Sequence, residues 1–238
     1  MSAAPTPMPA QPKVAVIIPC LNEEASIPLV LAALPPGRVD RIYVVDNGST
    51  DRTREVAAAA GAAVVTERER GYGAACLAGV AAARDADVLV FLDGDYSDHP
   101  EDLDQLLSPV LAGDVDLVLG SRTVLPDSRR ALLPQARFGN RLATMLLRWL
   151  FGARYTDLGP FRVIRRDAFE RLAMQDRTFG WTIEMQIKAA RAGLRVREVP
   201  VRYRSRIGQS KISGTLSGTL RAGTRILWTI CRYRLARC

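Results

Sequence analysis

Short apolar runs alternate with longer mixed stretches through the first half of the chain. Residues 14–18, 41–45, 63–66, 88–92 and 116–120 are brief, rich in Val, Ile and Leu, and apolar at consecutive positions. That pattern predicts strands covered on both faces, as in a parallel sheet, rather than alternating half-exposed ones. The stretches between them carry helix signals. Pro28 sits in the first turn of a helix opening near Ser26, and Pro35-Pro36-Gly37 ends it. An alanine-rich helix runs to Gly61, a small-residue helix spans 71–84, and Pro100 opens a helix over 100–111. Regular alternation of strand and helix predicts an α/β fold built on a mostly parallel central sheet flanked by helices.

The rhythm breaks after Arg122. Residues 134–151 predict a helix with an apolar stripe through Phe138, Leu142, Met145, Leu146, Trp149 and Leu150. Residues 161–164 read as a strand, 168–174 and 183–192 as helices, and 195–203 as an extended edge containing Pro200. A final helix over 212–234 mixes Leu216, Leu220, Ile226, Leu227, Trp228 and Ile230 with arginines. The expected organisation is a disordered lead-in at 1–13, one domain over 14–211 and a basic amphipathic helix over 212–238.

Charge sharpens this division. The chain is +8, yet residues 201–238 alone hold nine Arg/Lys and no carboxylate, which leaves residues 1–200 at −1. A basic tail points to a local anionic partner, whether phosphate, acidic lipid or nucleic acid. Cations spread along an amphipathic helix without a nucleic-acid module suit a membrane surface better, with no nucleic acid expected and an integral membrane protein as a compatible companion. The alternative for the tail and for 134–151 is core packing with a solvated basic face. No apolar run reaches the roughly 18–20 residues of a membrane span. Cys20, Cys76, Cys231 and Cys238 have no metal-ligand spacing and fit a reduced compartment. The expected location is cytoplasmic, peripheral on the inner face of the cytoplasmic membrane.

Candidate chemistry collects where the strands end. In open α/β sheets ligands bind outside the carboxyl edge. Pro19–Glu24 follows the first strand, Asp46–Asp51 the second, Asp93-Gly94-Asp95 the fourth and Ser121-Arg122 the fifth. Asp93 and Asp95 at i and i+2 point to one side of an extended chain and can share a hard divalent cation, Mg²⁺ or Mn²⁺. Taken singly, each cluster also has a plain role, Asp46–Asp51 as a helix cap and Glu23-Glu24 as first-turn charges. Taken together they describe a pocket for a nucleotide. Gly71-Tyr72-Gly73 lacks the third glycine of a dinucleotide fingerprint and follows the third strand, so Gly73 reads as close packing beside the pocket.

These segments carry a resemblance. Residues 16–24, 45–51 and 93–95, continued by Asp157-Leu158-Gly159-Pro160-Phe161-Arg162, Glu184 and Gly208-Gln209-Ser210-Lys211, resemble the signatures of family-2 glycosyltransferases with the GT-A fold. Within that family the chain is most similar to the polyprenyl-phosphate hexose synthases. The resemblance implies metal-dependent, inverting transfer of a hexose from a UDP- or GDP-linked sugar to polyprenyl phosphate, with a soluble or glycan hydroxyl acceptor as the alternative. A non-catalytic nucleotide-sugar-binding module is the competing class. The resemblance implies Pro19, Asn22, Glu23, Asp46, Gly48, Ser49, Gly73, Asp93, Gly94, Asp95, Arg206 and Lys211 for the nucleotide sugar, with Asp93 and Asp95 on the metal. Arg122, Arg141 and Ser210 would meet the acceptor phosphate, and Arg122 would also act in catalysis. Glu184 is the candidate base or acceptor orienter. Arg162 is a candidate structural ion-pair partner, and His99, before a proline at a helix start, is read as packing or capping. The chain departs from its relatives at Gly159-Pro160, where Ser or Thr and then Gly usually precede Phe-Arg.

Overall fold

The computed structural model describes residues 8–208 and 216–235, with Ser210 and Lys211 outside that range. Seven strands form one sheet: β1 (Val14–Cys20), β2 (Arg41–Asp46), β3 (Ala63–Thr66), β4 (Val88–Phe91), β5 (Leu117–Ser121), β6 (Arg162–Arg165) and β7 (Val196–Pro200). Their order is β3-β2-β1-β4-β6-β5-β7. β1 pairs in parallel with β2 and β4, β2 with β3, and β5 with β7.

One strand runs the other way. β6 lies between β4 and β5 and is antiparallel to both. The alternation read from sequence places β5 as the next member of a regular parallel series; instead β6 separates it from β4. The reason lies after Arg122, where a long helical excursion intervenes before the chain returns to the sheet. Because β6 reverses, β5 still ends at the same edge as β1, β2 and β4, and the edge rule survives.

Helices cover both faces. On one side α1 (Ile27–Ala32), α2 (Thr53–Ala59) and α4 (Leu103–Leu111) bury Ile27, Val30, Ala57, Leu106 and Val110 against Val16, Ile18, Val44 and Val90. On the other, α3 (Tyr72–Ala82), α7 (Arg166–Leu172) and α8 (Trp181–Arg191) pack on Ile17, Val45, Leu89, Phe91 and Leu119. Phe91, Phe169 and Trp181 meet there with centroids 5.7–6.0 Å apart, in the tilted geometry aromatic rings favour. Each strand feeds both cores, as its continuous apolar run requires.

The excursion contains α5 (Pro126–Ala131), which the hydrophobic pattern does not signal, and α6 (Pro134–Phe151). α6 buries Ala143 and Leu147 against Ile183 and Ile187 of α8 and Ile230 of α9 (Leu216–Leu235). The stripe picked out by sequence divides: Leu146 packs against this cluster, while Phe138 is 72% and Trp149 75% exposed. The described part of the lead-in, residues 8–13, is anchored: Met8 packs on the core and the Lys13 N–H donates to Asp87. Among the described residues no helix is long and apolar enough to cross a membrane.

Candidate active site

The carboxyl ends of β1, β2 and β4 open into a cavity of about 330 Å³. Pro19, Cys20, Leu21 and Glu23 line it from β1, Asn47 from β2, and Asp93, Gly94 and Asp95 from β4. Arg70, Gly71 and Tyr72 enter from the start of α3, Thr178 and Phe179 from the loop before α8, and Arg206 from the segment after β7.

The two aspartates are held differently. The Tyr72 hydroxyl donates to Asp93 at 3.0 Å. Burial, and next the charge of Asp95, push the Asp93 carboxyl from its ordinary 3.8 up to about 7, against the pull of Tyr72, Arg122 and Arg206. Asp95 accepts the Ser97 N–H at 2.9 Å and its hydroxyl at 2.6 Å through one oxygen. Its other oxygen faces the Arg206 guanidinium at 3.2 Å. Gly94 between them has no room for a side chain, because a Cβ would stand 2.5 Å from Cys20 Sγ. Asp98, three residues on, is 1% exposed, and both its carboxyl oxygens lie buried outside hydrogen-bond geometry. Burial, followed by the charge of Asp93, raises it well above the usual range.

Among the described residues this is a concentration of buried negative charge that lacks a full complement of cations. The donor set is hard oxygen, in a cleft open to a ligand. Two carboxylates with the remaining positions supplied by phosphate and water is how Mg²⁺ or Mn²⁺ is commonly held. Among the described residues no group of three or more His, Cys, Asp and Glu is placed to hold a metal ion by itself.

Of the residues the sequence singled out, Pro19, Glu23, Asp93, Gly94, Asp95 and Arg206 line the cavity together. Arg206 ties two of them, reaching Glu23 at 3.1 Å as well as Asp95. Asn22, Asp46, Gly48, Ser49 and Gly73 stand just behind the wall. Asn22, at φ 54°, accepts the Thr50 N–H and donates its own N–H to Ser49 Oγ, joining the loops after β1 and β2. Asp46 is 1% exposed and accepts the Ser49 N–H. Gly48 adopts φ +87° beside Arg70. Gly73 lies under the loop before α8, where a Cβ would be 2.0 Å from the Asp176 carbonyl oxygen.

Glu184, the candidate base or acceptor orienter, is completely buried on α8 and is not among the residues that line the cavity. Its carboxylate accepts the Gln175 and Asp176 N–H groups and the Tyr233 hydroxyl, and it pairs with Lys188 at 2.8 Å. With these four donors it is a structural anion that organises the loop before α8.

Arg122 also has an established partner. Its guanidinium donates twice to Asp157, at 2.8 and 2.9 Å, and its N–H donates to the same carboxylate. This bidentate pair, only 15% and 1% exposed, fixes the loop after β5 to the one before β6. Arg162 is buried too, and donates to the carbonyls of Gly159 and Thr182 and to the Gln186 side chain in place of the ion pair expected of it. Burial lowers it to about 10. Gly159 fits because a Cβ there would lie 2.7 Å from the Gly120 carbonyl oxygen, which accounts for glycine at the position where this chain departs from its relatives. His99 sits 3.7 Å from Glu101 and lines a shallow cleft away from the aspartates.

Arg141 lies in a second cavity of about 590 Å³ beside the first loop pair, lined by Thr123, Arg129, Arg137, Phe138, Asn140 and Thr156. Asn140 fastens this wall to the site by accepting the Leu158 N–H and donating to the Thr156 carbonyl.

Sequence reasoning missed Asn47, Arg70, Tyr72, Thr178 and Phe179. Asn47 had a local signal, since it follows Asp46 at the same strand end. Its amide donates to the Glu67 and Glu69 carbonyls and its oxygen accepts the Gly71 N–H, clamping the loop after β3. Thr178 and Phe179 reach the cavity only through tertiary packing.

An α/β sheet with its acidic cluster at the carboxyl edge of β1, β2 and β4 puts that cluster where open α/β sheets bind their ligands. The family model for glycosyl transferase family 2 matches residues 15–173. A glycosyltransferase of Mycobacterium tuberculosis is 42% identical over 212 residues, 87% of this chain and 93% of that protein. An undecaprenyl-phosphate mannosyltransferase of Micrococcus luteus is 35% identical over 243 residues, 94% of this chain and 99% of its own length. The crystal structure of glucosyl-3-phosphoglycerate synthase from M. tuberculosis, in complex with Mn²⁺, UDP-glucose and phosphoglyceric acid, superposes with a TM-score of 0.77 at 26% identity, covering 96% of this chain and 82% of that one. The chain belongs to glycosyl transferase family 2, with the GT-A fold, and is a glycosyltransferase.

Proposed function

We propose that this enzyme transfers a hexose from a nucleoside-diphosphate sugar to a phosphate-bearing lipid, polyprenyl phosphate, with inversion and with the help of Mg²⁺ or Mn²⁺. The nucleoside would lie along Pro19, Glu23 and Asp46 and the diphosphate beside Asp93 and Asp95. Those two carboxylates would hold the cation, which when bound neutralises charge on the departing diphosphate. The related synthase crystallised with Mn²⁺ and UDP-glucose supports this assignment.

The chain's own residues supply the rest. Arg206, already on the cavity wall, would move from Asp95 and Glu23 to the diphosphate as charge develops there, and Lys211 is assigned to the same task. An oxygen of the acceptor phosphate attacks the anomeric carbon while the bond from that carbon to the diphosphate oxygen breaks, and the nucleoside diphosphate leaves with the electron pair. The attacking oxygen is already anionic, so no general base is needed. The burial of Glu184 is compatible with that economy. Arg141 and Ser210 would orient the acceptor phosphate, and Arg122, paired with Asp157, would hold the loop after β5 in place beside them.

The observation that carries the acceptor assignment is Phe138. It is exposed, and it lines the same cavity as Arg129, Arg137 and Arg141, so an anion site sits beside an apolar side chain left in water. An isoprenoid phosphate offers both halves. The exposed Phe138, Met145, Trp149 and Leu150 of α6 and the exposed Leu227, Trp228 and Leu235 of α9 suit a peripheral position on an acidic membrane surface, on the cytoplasmic side where nucleotide sugars are made available. A soluble phosphorylated acceptor is the second reading, favoured by the phosphoglyceric acid of the related synthase. Incubation with radiolabelled UDP- and GDP-hexoses and polyprenyl phosphate tests the choice. Label passing into organic solvent is expected; label transferred only to a water-soluble acceptor would overturn the lipid assignment.

A further inference from the structure

We propose that Arg225 of the C-terminal helix is a positioning residue for the donor cavity, acting through Asp176 on the loop that supports Tyr72 and Asp93. The idea rests on the reading of that cavity as the nucleotide-sugar site.

The connection is a continuous chain of contacts. The Arg225 guanidinium donates through Nε and Nη2 to Asp176 Oδ2 at 3.0 and 2.8 Å. Asp176 is 5% exposed, and its other oxygen accepts the N–H and hydroxyl of Thr178 at 2.7 and 2.9 Å. The carbonyls of Arg177 and Thr178 in turn accept the N–H groups of Ala74 and Gly73. Those are first-turn donors of α3, which a helix cannot satisfy internally. The N-cap, Gly71, has no side chain to serve them, so the loop caps the helix from outside. Tyr72, on that turn, donates to Asp93.

Close packing makes the link stiff. A Cβ on Gly71 or Gly73 would stand 2.0 Å from the carbonyl oxygen of Arg177 or Asp176, so loop and helix start meet backbone to backbone and cannot slide independently. The same loop is held from below, where buried Glu184 accepts the Asp176 N–H at 2.7 Å and the Tyr233 hydroxyl at 2.6 Å. Both buried carboxylates of this region therefore finish on α9. Arg225 also lies 4.5 Å from the ring of Trp228, which is 48% exposed. What the outer face of α9 meets is thereby felt at the donor cavity.

Removing the guanidinium leaves Asp176 as a buried charge with only Thr178 beside it, and the loop loses its outer anchor. The full chain is compared with Arg225→Ala, Arg225→Lys, Asp176→Asn and Arg232→Ala, the last a control that stacks on Trp228 and Tyr233. Hydrogen exchange is followed in peptides covering 71–76 and 174–180, with binding of UDP and GDP in Mn²⁺. Arg225→Ala and Asp176→Asn are expected to speed exchange in both peptides by about tenfold, with Arg225→Lys intermediate and Arg232→Ala at the wild-type rate. Nucleotide affinity should fall about five- to twentyfold in Arg225→Ala. Unchanged exchange in Arg225→Ala, or an equal rise in Arg232→Ala, overturns the proposal. If Arg225→Ala does not fold, Asp176→Asn and Arg225→Lys decide it by the same readout. Failure of the wild-type chain to bind either nucleotide would refute the reading of the cavity, while exchange still judges the link.

Discussion

Around Asp93 charge is buried and restrained by neighbours; along the outer face of α6 it is exposed, next to apolar side chains that nothing covers. In the first region Tyr72, Ser97 and Arg206 fix carboxylates that would otherwise repel one another. In the second, Arg137 and Arg141 line an open cavity beside an exposed Phe138. A fixed anionic cradle suits a ligand whose charge is always the same, a metal-bound diphosphate. A loose cationic surface with apolar neighbours suits a partner read by charge and greasiness rather than by shape. On the proposed function, the contrast would give the two substrates of one reaction two different kinds of site.

The largest expected effect lies on the rigid side. Asp95→Asn keeps the size of the side chain and its contact to Ser97 while removing the charge. Turnover of the nucleotide sugar is expected to drop by about 10²–10³-fold, with Mn²⁺ no longer tightening nucleotide binding in calorimetry. Retained turnover would break the assignment of that loop as the cation cradle.

Two arginines sharpen the comparison next. Arg122 belongs to the rigid region through Asp157, and Arg141 to the loose one. Arg122→Ala leaves Asp157 buried and unpaired, so denaturant unfolding should show a loss of about 3–5 kcal/mol. Arg141→Ala should stay within about 0.5 kcal/mol of wild type while weakening the use of a phosphate-bearing acceptor. Equal stability losses would mean that both arginines are structural.

Acidity separates the regions again. The Asp93 carboxyl is raised by burial and by Asp95, to about 7, so between roughly pH 4 and 7 the folded state holds a proton there that the unfolded chain has released. Metal-free protein therefore loses stability as pH rises through that window, and the contribution is gone above it. Asp93→Asn should flatten the slope, leaving the part due to Asp98, which is raised as well. Mn²⁺ competes with the same proton, so its affinity should climb toward pH 7 and then level. A slope identical in Asp93→Asn and wild type would contradict this.

What the sequence disclosed follows the same boundary. Strands β1, β2 and β4 announce themselves because both their faces are buried, and Asp93-Gly94-Asp95 because a polar break follows a continuous apolar run. A helix N-terminal carboxylate such as Glu184 looks alike in sequence whether it faces a cleft or a buried loop; only its packing against Gln175, Asp176 and Tyr233 tells the two apart. β6 is legible as a strand, yet its antiparallel placement depends on the path of α5 and α6, which local pattern does not encode. Phe138 and Trp149 form a helical stripe that reads equally as core or as surface, since periodicity says which residues share a face and not what that face meets.

That stripe gives the smallest effect and the most direct probe of the loose region. Phe138→Ser with Trp149→Ser removes two side chains that are already largely in water, so the transfer free energy lost on folding is slight and stability should stay within about 0.5 kcal/mol. On a membrane the balance differs. Burying each ring in the headgroup region is worth on the order of 1 kcal/mol, and the two together should weaken flotation with acidic liposomes by about tenfold or more. Replacing Arg148, exposed on the same helix, by Gln should weaken it less and only at low salt, because headgroup attraction fades with ionic strength. If the double variant floats like the wild type but unfolds earlier, the stripe is part of a protein contact instead, and the acceptor's lipid would have to be reached from α9 alone.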